Sequence, residues 1–303
     1  FVFDWAWADA YQRAGRNYYP KLVSAIQFSP VAGKRLLLAE VDNKAEVQTE
    51  LVRAAMKLME KNSFSSLHIL FPDTADIPVF TDNKGLTRIS CQYHWFNDDY
   101  RDFQDFLDTL TSKKRKQIKK ERRQIQESGI EIERLTGADI SSYQWEVFYQ
   151  FYCSTFYKKW GEPRLTLDFF QWLGTAMAEQ TLLILAKKDK EYIAGAFAMQ
   201  DQENLYGRHW GCSRPLPFLH FELCYYQTIE HVIQHGLKKL DAGVQGEHKL
   251  ARGFQPVAMP SAHWIRESDF RSVIASYLER ESTAMHEHIE MLEQHLPYKL
   301  ETQ

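Results

Sequence analysis

Apolar residues recur along this chain at two alternating periods, one of helices and one of strands. Near the start, Asp4–Gly15 reads as a short aromatic helix followed by a Tyr18-Tyr19-Pro20 turn. Leu22–Phe28 alternates as a strand does, and Arg35–Ala39 reads as a second strand or a loop edge. Within Val47–Glu60 the residues Leu51, Ala54, Ala55, Leu58 and Met59 form a helical stripe. Leu67–Phe71 is a buried strand ended by Pro72, Gly85 closes a weak helical or loop segment, and Thr87–Phe96 is the next strand.

A second unit begins near Tyr100. Phe103, Phe106, Leu107 and Leu110 mark one helix face, and Thr111 or Ser112 restarts a helix that ends at Gly129. Ile130–Leu135 is a strand. Ser141–Lys159 is helical, with Trp145, Phe148, Tyr149 and Tyr152 along one side, and Thr166 or Asp168 opens another helix to about Glu179. Thr181–Lys187, Tyr192–Gln200 and Asn204–Trp210 then form a meander, followed by helix Phe218–His235 and strand Lys239–Asp241. This order predicts an α/β unit around a mixed sheet. From Arg266 the chain reads as a helical tail.

With 37 basic and 40 acidic residues the net charge is -3, so no global positive excess points to nucleic acid. The longest apolar runs are strand-sized, well short of the roughly 20 residues a membrane-spanning helix needs. Cys91, Cys153, Cys212 and Cys224 show no CxxC spacing, which fits a reducing compartment and unbridged thiols. The chain opens at Phe1, inside Phe-Val-Phe-Asp-Trp-Ala-Trp, which reads as part of an ordered segment. Residues preceding it are therefore expected.

One local departure from neutrality stands out. Lys113, Lys114, Arg115, Lys116, Lys119, Lys120, Arg122 and Arg123 crowd one helix, with Ile118 and Ile125 seven residues apart on a face that touches apolar surface. Such a helix is either a solvated face partly neutralised by Glu121 and Glu127 or a contact for phosphates, including an RNA backbone or a nucleotide. Aromatic residues do not interleave with it as a base-stacking platform requires.

The densest chemistry lies from Tyr206 to His263. Period-two alternation places Tyr206, Arg208 and Trp210 on one strand face and His209 on the other. In the next helix Glu222 and Tyr226 are an i, i+4 pair, and His220 precedes them. After strand Lys239–Asp241, Gly243 and Gly246 favour an irregular backbone that a ligand can approach closely. Gln245, Glu247, His248, Lys249 and Arg252 then gather amide, carboxylate, imidazole and cationic groups. A carboxylate beside an imidazole moves protons near neutral pH, and Arg or Lys holds an anion. The alternative is a hydrogen-bonded loop that shapes the sheet edge. No HExxH, GxSxG, P-loop or GxGxxG is present, and no metal site is expected.

These stretches resemble a known family. Ser90-Cys91-Gln92-Tyr93-His94-Trp95, the basic run Ser112–Arg122, Leu205–Gly211, Leu219–Gln227 and Gly243–Lys249 with Arg252-Gly253-Phe254 all look like the bacterial predicted N-acyltransferases of the Fem-like, peptidoglycan biosynthesis/recognition group. The resemblance implies a tandem GNAT-like fold: a partial, N-terminally truncated unit over 1–99, an acyltransferase unit over 100–267, and a helical tail over 268–303. It implies an N-acyltransferase with an acyl-CoA or aminoacyl-tRNA donor and an amine acceptor such as a cell-wall precursor, acting in the cytoplasm. The GNAT pyrophosphate loop is not matched. Its nearest place, Gly211-Cys212-Ser213-Arg214-Pro215, differs, which keeps charged tRNA open as donor.

On this reading Glu247, His248 and then Glu222 are the candidate bases. Tyr206, Arg208, His209, Trp210, His220, Tyr226, Gln245, Lys249 and Arg252 are expected to bind substrate. Lys113, Arg115, Lys116, Lys119, Gly243 and Gly246 are expected to contact the donor. The other reading is a non-catalytic recognition protein that keeps the scaffold and binds a peptidoglycan precursor or polar peptide.

Overall fold

The computed structural model describes residues 4–40, 42–158 and 160–299. The expected ordering of Phe1–Phe3 and the helix end expected at Lys159 lie outside them. In chain order the elements begin with α1 (Trp5–Arg13), β1 (Leu22–Ser24), α2 (Lys44–Lys61), β2 (Ser66–Leu70), α3 (Ile77–Asp82) and β3 (Leu86–Phe96). They continue with α4 (Phe103–Thr109), α5 (Ser112–Glu127), β4 (Glu131–Thr136), α6 (Ser142–Tyr157), α7 (Leu167–Ala176), β5 (Thr181–Lys188), β6 (Glu191–Gln200) and β7 (Asn204–Cys212). The last are α8 (Leu219–Phe221), a π-turn (Glu222–Tyr226), α9 (Gln227–Gln234), β8 (Lys239–Asp241), a 3-10 turn (Glu247–Arg252), β9 (Gln255–Ile265) and α10 (Ser268–Glu293).

The chain divides into two compact units. One comprises residues 1–92 and 257–292, the other residues 93–256 and 293–303. Each is a mixed sheet with flanking helices.

In the first unit β1 runs parallel to β2, and β2 runs antiparallel to β9, with His68 opposite His263. Helix α2 packs on this sheet through Val52, Ala55, Met56 and Met59, against Leu67, Ile69, Phe80 and Trp264. The stripe read from the sequence overlaps this face at Ala55 and Met59 but is rotated from it at its other edge. Leu51 and Leu58 are 40% and 47% exposed. Two apolar stripes share the helix, and the i, i+3, i+4, i+7 set beginning at Val52 faces the core. The strand expected over Leu22–Phe28 pairs only as far as Ser24, and Arg35–Ala39 forms no strand.

In the second unit the strand order is β3-β8-β7-β6-β5-β4, antiparallel except for the β7–β8 pair. Helix α6 starts at a capping box. The Ser141 hydroxyl accepts from the Gln144 backbone N–H, and the Gln144 side chain accepts from the Ser141 N–H. Its buried Trp145, Phe148 and Tyr152 pack with Phe170 of α7 on Leu183, Leu185 and Phe197 of the sheet, the face the helical period predicts. Gly211 permits this close approach: a Cβ there would lie 2.1 Å from the Phe151 carbonyl oxygen. The four cysteines are free thiols.

Candidate active site

The second unit has an interruption built into its sheet. The parallel strands β7 and β8 pair only at Asn204–Lys239, Leu205–Leu240 and Tyr206–Asp241. Beyond Tyr206, β7 runs on to Cys212, while β8 ends at Asp241 and the chain turns away. Where this pairing stops, β7 also carries an extra residue. Gly207 stands opposite Ala198 and His209 opposite Phe197, so Arg208 is bulged.

The bulge changes the phase of the strand and corrects the alternation read from the sequence. Tyr206 stands opposite Met199, and His209 opposite Phe197, on the side that packs with α6. His209 meets the Tyr152 ring at 4.8 Å, and burial lowers its pKa to about 4. Trp210 stands opposite Ala196 and meets His220 at 5.1 Å. Tyr206 and Trp210 therefore do not share a face. The Tyr206 hydroxyl donates to Asp201 at 2.7 Å. Burial pulls the Arg208 pKa below its ordinary value, and Asp241 is the charge that opposes this.

The turn after β8 is shaped by two glycines in the left-handed region, Gly243 (φ +74°) and Gly246 (φ +98°). The Gly243 N–H donates to Asp241 Oδ1 at 2.8 Å. The other carboxylate oxygen, Oδ2, is buried without a hydrogen bond and lies 3.6 Å from His94 Nε2. Lys249 is buried. Its ammonium donates to the carbonyl oxygens of Ala242 (2.6 Å) and Gly243 (3.2 Å), and burial lowers its pKa to about 8. Its role in the structure is to pin the turn.

His248 lies across Gly246. A Cβ on that glycine would be 2.3 Å from His248 Cε1. The imidazole is exposed on one side, and its Nε2 is 2.9 Å from the Tyr225 hydroxyl. Burial of the rest of the ring, then the charges of Arg252 and Lys249, hold its pKa below the usual value, so it is neutral at pH 7. His220 is held neutral more strongly, at about 4, by burial and then by His248, Lys249 and Arg252. Gln245 and Glu247 are exposed at the rim of the turn.

Glu222 and Arg252, by contrast, are committed inside the protein. The Glu222 carboxylate accepts from Arg122 at 3.1–3.3 Å and from Gln227 at 2.8 Å, and Arg122 also donates to Glu230 at 2.7 Å. The π-turn explains the difference from the expected i, i+4 pair. Its wider winding brings Gln227, five residues on, to Glu222 and turns Tyr226 elsewhere. The Tyr226 hydroxyl donates to Glu121 and accepts from Arg252 Nε. Arg252 Nη2 lies 2.8 Å from Glu121 Oε2. These two acids and Arg252 are each at most 4% exposed, so none is available as a solvent-side base or anion clamp.

The basic run folds as α5. Ile118, Glu121 and Ile125 are its buried face, and Lys113, Lys116 and Lys119 are exposed. Arg115 pairs with Asp108 at 3.1 Å.

A family model described as FemAB-like, peptidoglycan biosynthesis/recognition, matches residues 1–300. The chain belongs to the FemAB-like family. No curated protein matches its sequence. Among solved structures the FemAB-like chain is similar to FemX at 13% identity and TM-score 0.53, over 80% of this chain and 82% of that one. It is similar to L-PGS from Bacillus licheniformis at 12% identity and TM-score 0.52, over 77% and 78%. The C-terminal domain (DUF2156) of a putative lysylphosphatidylglycerol synthetase from Agrobacterium fabrum follows at 10% identity and TM-score 0.50, over 78% of each chain. At these identities the likeness is one of fold: a mixed α/β architecture with a central sheet flanked by helices.

Among the described residues of this FemAB-like chain, no helix is long and apolar enough to cross a membrane, and no group of three or more His, Cys, Asp or Glu could hold a metal ion. Around the end of β8 the structure brings together Gly243, Gly246, His248, Lys249 and His220 from the expected set. Tyr225, one of the rings the sequence places around the cleft, meets His248 there, whereas the sequence pattern assigns no site role to Glu121 or Asp241. Glu121 had a readable signal, since it falls at i+3 from Ile118 and four before Ile125, on the apolar face of a run otherwise cationic.

Proposed function

We propose that the protein is an N-acyltransferase that moves an acyl or aminoacyl group from an acyl-CoA or a charged tRNA to an amine, with a cell-wall precursor as the acceptor, in the cytoplasm. The two units are read as a tandem GNAT-like pair, the second carrying the chemistry. The observation that carries this reading is the parting of β7 and β8 beside a neutral imidazole. Where the pairing stops, Arg208 is bulged, and the turn that follows β8 presents His248 on the Tyr225 hydroxyl. Family membership supports the same reaction class.

In the proposed reaction the acceptor nitrogen attacks the donor carbonyl. The new C–N bond forms as His248 takes the amine proton. The bond to the carrier then breaks, and the proton passes to the departing thiolate or ribose oxygen. Tyr225 fixes the imidazole orientation. Backbone N–H groups of the Gly243–Gly246 turn are candidates to stabilise the oxyanion. Lys113, Lys116 and Lys119 offer an exposed cationic face for donor phosphates.

The test is transfer of a radiolabelled acyl group from acyl-CoA and from aminoacyl-tRNA to a muramyl-peptide amine. His248→Gln is expected to lower turnover about a hundredfold, the low end of what a positioned base contributes, without lowering the melting temperature. Turnover equal to wild type in His248→Gln would sink the assignment of the base. Saturable precursor binding with no transfer from either donor would favour a recognition protein instead.

A further inference from the structure

The basic helix α5 exposes most of its lysines, and its single buried acid, Glu121, reaches the site. Glu121 is 4% exposed, and its two oxygens accept from Arg252 Nη2 at 3.0 and 2.8 Å. Tyr226 closes a triangle, donating to Glu121 and accepting from Arg252 Nε at 2.9 Å. With that geometry fixed, Arg252 Nη1 donates to the backbone carbonyl of His248 at 2.8 Å. The guanidinium carbon also lies 3.5 Å from the centre of the Phe221 ring, and that ring lies 5.3 Å from the His248 imidazole.

We propose that Glu121 is a positioning residue for His248, acting through Arg252 to hold the 3-10 turn where the imidazole meets Tyr225. This rests on the reading of His248 as the base. The acid does not touch the reacting atoms. It fixes the guanidinium, the guanidinium fixes the His248 carbonyl, and Tyr225 then sets the ring. Misplacement by about 1 Å at a site of this kind costs up to a hundredfold in rate, so a buried clamp acts through geometry alone. A guanidinium bonded to a carboxylate, a phenol and a carbonyl together is also more rigid than any one of those bonds makes it.

A structural role alone and this positioning role differ in one measurable way. The ionisable groups facing His248 are Tyr225 from the π-turn, His220 from α8, Lys249 and Arg252 from its own turn, and Glu121 from α5 behind Arg252. Glu121→Gln leaves the Arg252 charge without its counter-ion, so the His248 imidazole becomes harder to protonate. Arg252→Met removes that charge, so the imidazole becomes easier to protonate. Simple loosening of the turn would instead move both variants the same way, toward the free imidazole value.

The experiment is NMR titration of the His248 ring in wild type, Glu121→Gln, Arg252→Met and the double variant, with kcat and KM for each. Expected are opposite pKa shifts in the two single variants and a double variant that behaves as Arg252→Met. The kcat of Glu121→Gln should fall about tenfold, with KM for both substrates changed by less than about twofold. Shifts in the same direction, or additive kcat losses in the double variant, overturn the proposal. If Glu121→Gln fails to fold, Arg252→Met and Glu121→Asp carry the test. The first should raise the His248 pKa and lower kcat, and the second, which keeps the charge, should leave the pKa near wild type. Wild-type kcat in Arg252→Met overturns it. Should His248→Gln prove fully active, the base assignment fails, while the opposed titrations still decide whether Glu121 governs that turn through Arg252.

Discussion

Lowering the pH from 7 to 5 should destabilise the first unit through one buried imidazole, and the size follows from its surroundings. His68 is fully buried between β1 and β9. Its Nδ1 is 2.7 Å from His263 Nδ1, and its Nε2 is 2.7 Å from the Ser66 hydroxyl and 3.1 Å from that of Tyr18. Tyr18 in turn donates to Asp4, which Lys21 also contacts. Burial, then the nearby Lys21, lowers the His68 pKa to about 3. The folded protein therefore leaves His68 neutral at both pH values. The unfolded imidazole, near 6.5, takes up a proton as the pH falls. The unfolded state binds more protons, so stability is present above about pH 6.5 and is lost on the way down. Integrating that uptake gives ~2 kcal/mol lost between pH 7 and pH 5 from this group alone. His68→Gln removes the titration. At pH 7 the variant should be less stable, by ~1–3 kcal/mol, because His263 loses a buried partner. By pH 5 the gap to wild type should narrow by ~2 kcal/mol. His263 is also held well below its ordinary pKa, partly by His68, so its relaxation acts with the same sign. Urea unfolding followed by circular dichroism at both pH values measures the difference. A gap that stays constant or widens at pH 5 would refute the reasoning.

Two other tests probe the second unit. Gly246→Ala places a Cβ 2.3 Å from the His248 ring at φ +98°, so it should cost ~1–3 kcal/mol in denaturant unfolding and lower transfer at least about tenfold; full activity would show that the imidazole does not depend on that glycine. Arg122→Met leaves the buried Glu222 without its cation and should cost ~3–5 kcal/mol, whereas Arg122→Met with Glu222→Gln should recover part of that loss. Equal losses in the single and double variants would mean that Arg122 acts through packing on Phe103 rather than through the ion pair.

Local signals located most elements of the second unit to within a residue or two. Strands β5 and β6 show why, since a charged turn separates two near-continuous apolar runs. Strand β9 went unread because Pro256 and Pro260 break the usual strand signature, and an 11-residue strand with two prolines is recognisable only from the strands it pairs with. The rotated stripe on α2 has the same origin. Leu51 and Leu58 are as apolar as Val52 and Met56, and only the sheet beneath decides which edge of the stripe is buried.

The site was legible as composition but not as wiring. Gly243, Gly246 and His248 could be singled out because turn glycines and an imidazole carry their chemistry in their own identity. Glu222 and Arg252 carry theirs only through partners about 100 and 131 residues away, Arg122 and Glu121. No periodicity links such positions. The single extra residue at Arg208 likewise inverted the face of Trp210, because a strand has period two and a one-residue insertion reverses every side chain after it. The same insertion falls where β7 leaves β8, so the residue that defeats alternation in the sequence marks the opening in the sheet. An unexpected phase change at the end of a parallel pair is thus a stronger pointer to this site than the charge density of the turn that follows it.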